Sequence, residues 1–79
     1  MRYFNGRGWQ EFDELPGDVV LLVRSVGIDN VRILEDALRE QKIPHFMAAE
    51  RKDDVSFYVQ EEQRDEIEIQ IKLYLSQHG

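Results

Sequence analysis

The chain has 79 residues, 42% of them hydrophobic and 33% charged, a composition that describes one small domain near the lower limit for burying a self-sufficient core. That length excludes a large multi-step enzyme with a cleft between two lobes. Ten Lys and Arg against 16 Asp and Glu give a net charge of −6, the wrong sign for affinity built on neutralising phosphates, so direct nucleic-acid binding is disfavoured.

Other classes fall away on similar grounds. The chain has no cysteine, which removes a disulfide framework, a thiolate zinc site and a cysteine nucleophile, and fits a reducing, cytoplasmic setting. The longest apolar run, residues 19–23, falls far short of the roughly 20 residues that a membrane-spanning helix needs. No membrane span and no signal segment are expected.

Residues 1–17 have a texture of their own, with Tyr3, Phe4, Trp9 and Phe12 and three glycines set among charges. Asn5 and Gly6 form a good type I′ turn pair, so residues 2–4 are expected to fold back on residues 9–12 as an aromatic arm or hairpin. Pro16 and Gly17 then mark a boundary, and residues 18–79 form the main domain. Arg2, Tyr3, Phe4, Arg7 and Trp9 interleave charge with rings as single-strand binders do, but two arginines weigh little against −6. Asn5, Gly6, Arg7 and Gly8 lack the strand, helix and further residues of a phosphate loop.

Residues 18–24 are β-branched and continuous, the pattern of a buried strand. Asp29 is a plausible N-cap, and Val31, Leu34, Ala37 and Leu38 recur at helical spacing, which predicts a helix over residues 30–41. Pro44 ends it. Residues 43–49 are expected as a second strand, placed at a sheet edge because proline lacks a ladder donor. Val55, Phe57 and Val59 alternate with Ser56 and Tyr58 in a third, half-buried strand.

Residues 66–75 satisfy two incompatible templates. On a period of two, Ile67, Ile69, Ile71, Leu73 and Leu75 share one side. On a period of 3.6, Ile67, Ile71, Tyr74 and Leu75 form the stripe, and Ile69 and Leu73 fall roughly opposite. The acids over residues 61–66 favour a helix start, and a terminal helix would cover the same sheet face as the first. A helix is the reading adopted.

The order strand, helix, strand, strand, helix, with the opening Val19 to Ser25, the turn at Gln41, Lys42, Ile43 and Pro44, and the strand into acidic helix start from Val55 to Glu62, resembles two groups of small βαββα domains. These are the cytosolic N-terminal domain of bacterial rhomboid proteases and a family of short prokaryotic proteins labelled putative signal transducers. The resemblance covers residues 19–79 and has no invariant chemical group. It implies an α+β fold, a small open antiparallel sheet with two helices on one face (a ferredoxin-like half) preceded by the arm, and a non-catalytic, regulatory or interaction role. The transmembrane helices that follow the rhomboid domain are not matched, so membrane association is not implied.

Chemistry-bearing groups are sparse. Of the two histidines, His45 follows Pro44 in a strand and His78 adjoins the last residue; Ser25, Ser56 and Ser76 have no neighbouring base pattern. No catalytic residue, cofactor or metal site is assigned. The expected function is a non-enzymatic regulatory or protein-interaction module, with a partner or a second copy meeting Ile69 and Leu73 on the last helix and Trp9 as a further anchor. Two alternatives are a small acidic inhibitor that mimics nucleic acid through Glu61, Glu62 and Asp65, and a shallow small-ligand binder using His45.

Overall fold

The N-terminal residues do fold back on themselves. Strand β1 (Arg2–Phe4) pairs antiparallel with β2 (Trp9–Glu11), Phe4 facing Trp9. The loop is a four-residue one rather than the expected two-residue turn: Asn5 N–H donates to the Gly8 carbonyl, and the Asn5 side-chain oxygen accepts from the amides of Arg7 and Gly8. An asparagine side chain that satisfies backbone donors two and three positions on is a turn in its own right.

The remaining elements are β3 (Val19–Val26), α1 (Ile28–Glu40), β4 (His45–Arg51), β5 (Asp54–Gln60), a 3-10 turn (Glu61–Gln63) and α2 (Arg64–His78). The structure is a computed structural model describing residues 1–78, so the last position of the expected 18–79 domain lies outside it. The last segment is helical, in agreement with the 3.6-residue stripe: Ile67 and Ile71 are buried, Tyr74 and Leu75 half-buried.

The α+β class holds, but the expected open βαββα sheet with an arm ahead of it does not. All strands join one antiparallel sheet of order β2-β1-β4-β5-β3, because β1 pairs with β4 through Arg2 and Met47, Tyr3 and Phe46, Phe4 and His45. The second strand therefore lies inside the sheet and not at its edge. Pro44 sits one residue before the ladder and removes no donor from it, so it marks the start of the strand without confining the strand to an edge. Conversely β3, expected to be buried, is an edge strand paired only with β5, and Leu21 and Val26 are exposed. A register shift between Leu21 and Val23 turns both Leu22 and Val23 toward the core.

Helix α1 starts two residues earlier than expected. Its N-cap is Gly27, at φ 102° and ψ 133°, a conformation that L side chains rarely adopt. Asn30 donates from its side chain back to the Val26 carbonyl. At the other end the Ile43 amide donates to Leu38 and the Lys42 amide to Arg39, the paired bonds of a Schellman cap, with Lys42 in the left-handed position at φ 56°.

Both helices pack on one face of the sheet. Val31 and Leu38 of α1 and Ile67 and Ile71 of α2 meet Met47, Val55, Phe57, Val59 and Leu22 in one cluster. Phe57 and Leu38 are fully buried at its centre. Arg64 at the start of α2 ties the helix to the outer strand by donating from Nε to the Leu21 carbonyl at 3.0 Å.

Candidate functional site

Strand alternation puts Tyr3, Phe46 and Tyr58 on the face away from the helices, and register makes them direct cross-strand neighbours, Tyr3 opposite Phe46 and Phe46 opposite Tyr58. Leu21 opposite Tyr58 and Gln10 opposite Tyr3 extend the row across all five strands. Phe12, just beyond β2, folds onto the row: its ring lies 5.6 Å from Tyr3 and 5.5 Å from Phe46, edge-on to both. The Phe12 amide is fixed there by the Met1 carbonyl, and the Met1 ammonium donates to the Phe12 carbonyl.

This row forms part of a cavity of about 400 Å³. Tyr3, Phe12, Phe46 and Tyr58 supply rings, Pro16, Val19, Pro44 and Val59 add apolar wall, Asp18, Gln60 and Gln63 supply polar groups, and His45, the candidate of the small-ligand reading, reaches the lining from the strand end. Asp18 also belongs to an adjoining depression with Glu61 and Glu62. The Glu61 amide donates to the Asp18 carbonyl at 3.0 Å and so holds the acids together. Neither depression is lined by Lys or Arg.

On the helix side of the same strands lies His45, 1% exposed. Phe4, Trp9 and Phe57 surround its ring at centroid distances of 5.5, 5.6 and 6.0 Å, Trp9 edge-on. Nδ1 lies 2.8 Å from the Ile43 carbonyl. A carbonyl only accepts, so Nδ1 carries the proton and donates, leaving Nε2 a bare acceptor in the neutral ring. Nε2 has no partner. Burial lowers the His45 pKa from the usual histidine value, outweighing the Ile43 carbonyl, which favours the protonated ring.

The residues singled out in the sequence fall in three places. Ile69 and Leu73 both lie on the outer side of α2, each 59% exposed and one turn apart. Glu61 and Glu62 lie at the rim with Asp18, and Asp65 is exposed in the first turn of α2, where its carboxylate lies 3.4 Å from Arg64. Trp9 stays with the hairpin, 37% exposed, packed on Phe4 and His45 with the Arg2 guanidinium 4.5 Å above its ring. The structure thus brings His45 into the lining of the aromatic cavity with Glu61 and Glu62 in the adjoining depression, and leaves the Ile69 and Leu73 pair on α2 and Trp9 on β2 apart from it. The sequence marks Tyr3 and Phe12 as rings of the arm and Tyr58 in the alternation of residues 55–59, but not that they meet Phe46 around one cavity, because they lie on segments far apart in sequence.

At the far end of the open face Arg24 grips Asp54 in two parallel bonds, Nε to Oδ1 at 2.8 Å and Nη2 to Oδ2 at 2.6 Å. The bonds from Arg24 hold the Asp54 carboxyl below its usual range, and Asp54 in turn raises Arg24. Among the described residues no group of three or more His, Cys, Asp or Glu is placed to hold a metal ion, and no helix is long and apolar enough to cross a membrane. Comparison of the chain with protein-family models, with curated proteins and with solved structures finds no match.

Proposed function

We propose that the chain is a non-enzymatic protein-interaction module acting through the outer side of α2, with a second copy of itself as the occupant. The observation that carries this is the pair Ile69 and Leu73, both 59% exposed on a helix whose opposite stripe is buried. Each apolar side chain of this size left in water forgoes about 1.5–3 kcal/mol of burial, and two at i, i+4 make one contiguous patch. The pair is self-complementary. An antiparallel crossing about a two-fold axis sets Ile69 of one copy against Leu73 of the other.

Sedimentation velocity over a range of concentrations tests it. The unmodified chain is expected to self-associate, and the double variant Ile69→Lys, Leu73→Lys to be monomeric and still folded by circular dichroism, since exposed substitutions of this kind change the stability of the single chain by about 0.5 kcal/mol or less. A monomer at every concentration, or a double variant that unfolds, overturns the proposal.

A further inference from the structure

The cavity on the open face is independent of α2's outer side and has a chemistry of its own. The rings of Tyr3, Phe12, Phe46 and Tyr58 form one side of it, Tyr3, Phe12 and Phe46 packed on one another, and Pro16, Pro44, His45, Gln60 and Gln63 complete the lining with Asp18. The face of an aromatic ring carries negative charge density and attracts a cation placed over it, and several rings around one space form the cage in which methylated ammonium groups are held. Asp18 lines the cavity and shares the neighbouring depression with Glu61 and Glu62, so the one charged side chain of the lining is a carboxylate with two more acids in the adjoining depression, within a chain of net charge −6. Clefts lined by one sign of charge concentrate the opposite ion. The lining offers no Lys or Arg to an anion, which argues against a phosphate or carboxylate ligand.

We propose that this cavity binds an alkylammonium cation, a methylated or quaternary ammonium head group seated against Tyr3, Phe12 and Tyr58 with Asp18 as counter-ion. The same head group occurs on small free metabolites and on modified lysine side chains, and the shared chemistry is what the rings and the carboxylate recognise. A weakly hydrated methylated ammonium suits the site better than a bare one, because the apolar walls replace water along its methyl groups.

The test is an NMR titration of the whole chain with choline chloride, read on the ring protons of Tyr3, Phe12 and Tyr58, beside a titration with 3,3-dimethylbutan-1-ol, the neutral isostere of choline. Choline is expected to give saturable shifts confined to these rings and to bind at least about tenfold more tightly than the alcohol. Asp18→Asn, a surface change that keeps the backbone bond to Glu61, is expected to weaken choline about three- to tenfold, and Phe12→Leu by a similar factor. A blocked Gly-Lys-Gly peptide carrying trimethyllysine separates the sources: tighter binding than choline assigns the site to a polypeptide side chain, equal or weaker binding to a free small cation. Equal response to the alcohol, absence of ring shifts, or an unchanged affinity in both variants overturns the proposal.

Discussion

Acidification provides a direct probe of His45. The ring is neutral in the folded chain, with a bare Nε2 enclosed by Phe4, Trp9 and Phe57, so protonation would place a charge and a donor where neither has a partner. Its folded pKa is depressed, and in the unfolded chain it returns to about 6.5. Between those two values the unfolded state binds a proton that the folded state does not. Stability therefore falls as pH drops below about 6.5, with a slope approaching roughly 1.4 kcal/mol per pH unit, and is unaffected by His45 above it. For a chain of this size about 1 kcal/mol moves the midpoint by about 4–8 °C, so the one-proton limit on the drop in thermal midpoint is roughly 5–11 °C per pH unit. The comparison is with His45→Leu, close in volume and unable to titrate. At pH 7 the variant loses the Nδ1 bond and ring contacts and is relieved of the unpartnered Nε2, terms of about 1 kcal/mol each that largely offset. The decisive measurement is circular-dichroism melting of both proteins from pH 7.5 to pH 5. The variant should lack the fall; parallel curves would falsify the assignment of His45 as the buried, neutral group.

Two further outcomes follow from local geometry. Gly27→Ala forces an L side chain to φ 102° with its Cβ 3.4 Å from the Asn30 amide, and should cost about 1–3 kcal/mol in urea unfolding; a loss within experimental scatter would mean that the chain into α1 can be rerouted without a glycine. Carboxyl titration by NMR should place Asp54 below the ordinary aspartate range in the unmodified chain and return it toward that range in Arg24→Met, because the paired guanidinium bonds are the largest cause of its depression. The contribution of Asp54 to stability is present above its unfolded value and lost as pH falls through the folded one.

What the sequence revealed and what it concealed divide along the range of the interactions. The α2 stripe was legible because Ile67, Ile71, Tyr74 and Leu75 mark a face within fifteen residues, and Val55, Phe57 and Val59 showed their alternation within seven. Both are local periods. The turn at Asn5 pointed to residues 2–4 folding back on residues 9–12, but three-residue strands carry no pattern that says which edge they will join, and the sequence holds no sign of the attachment to β4. Pro44 misled for a related reason: it constrains its own peptide, and in this chain that peptide lies just outside the ladder. The apolar run at residues 19–23 suggested burial on both sides, yet the sheet ends at β3 and Leu21 is left facing water. The aromatic cavity was illegible altogether, since bringing Tyr3 beside Phe46, and Phe46 beside Tyr58, requires the register of three strands, and register is a property of the assembled sheet.

The packing around His45 equips the molecule with an optical reporter. Trp9 is the only tryptophan in the chain, and its indole stands edge-on to the His45 ring at 5.6 Å while its own strand is held to the sheet only through β1. All indole emission thus originates from one place. A protonated imidazole quenches a neighbouring indole more strongly than a neutral one, and release of the hairpin would carry the indole from a half-apolar environment into water and shift its emission to the red. Intensity and wavelength therefore separate two events at the same site, a proton arriving on the ring and the β1–β2 hairpin lifting off β4, without a dye or a label.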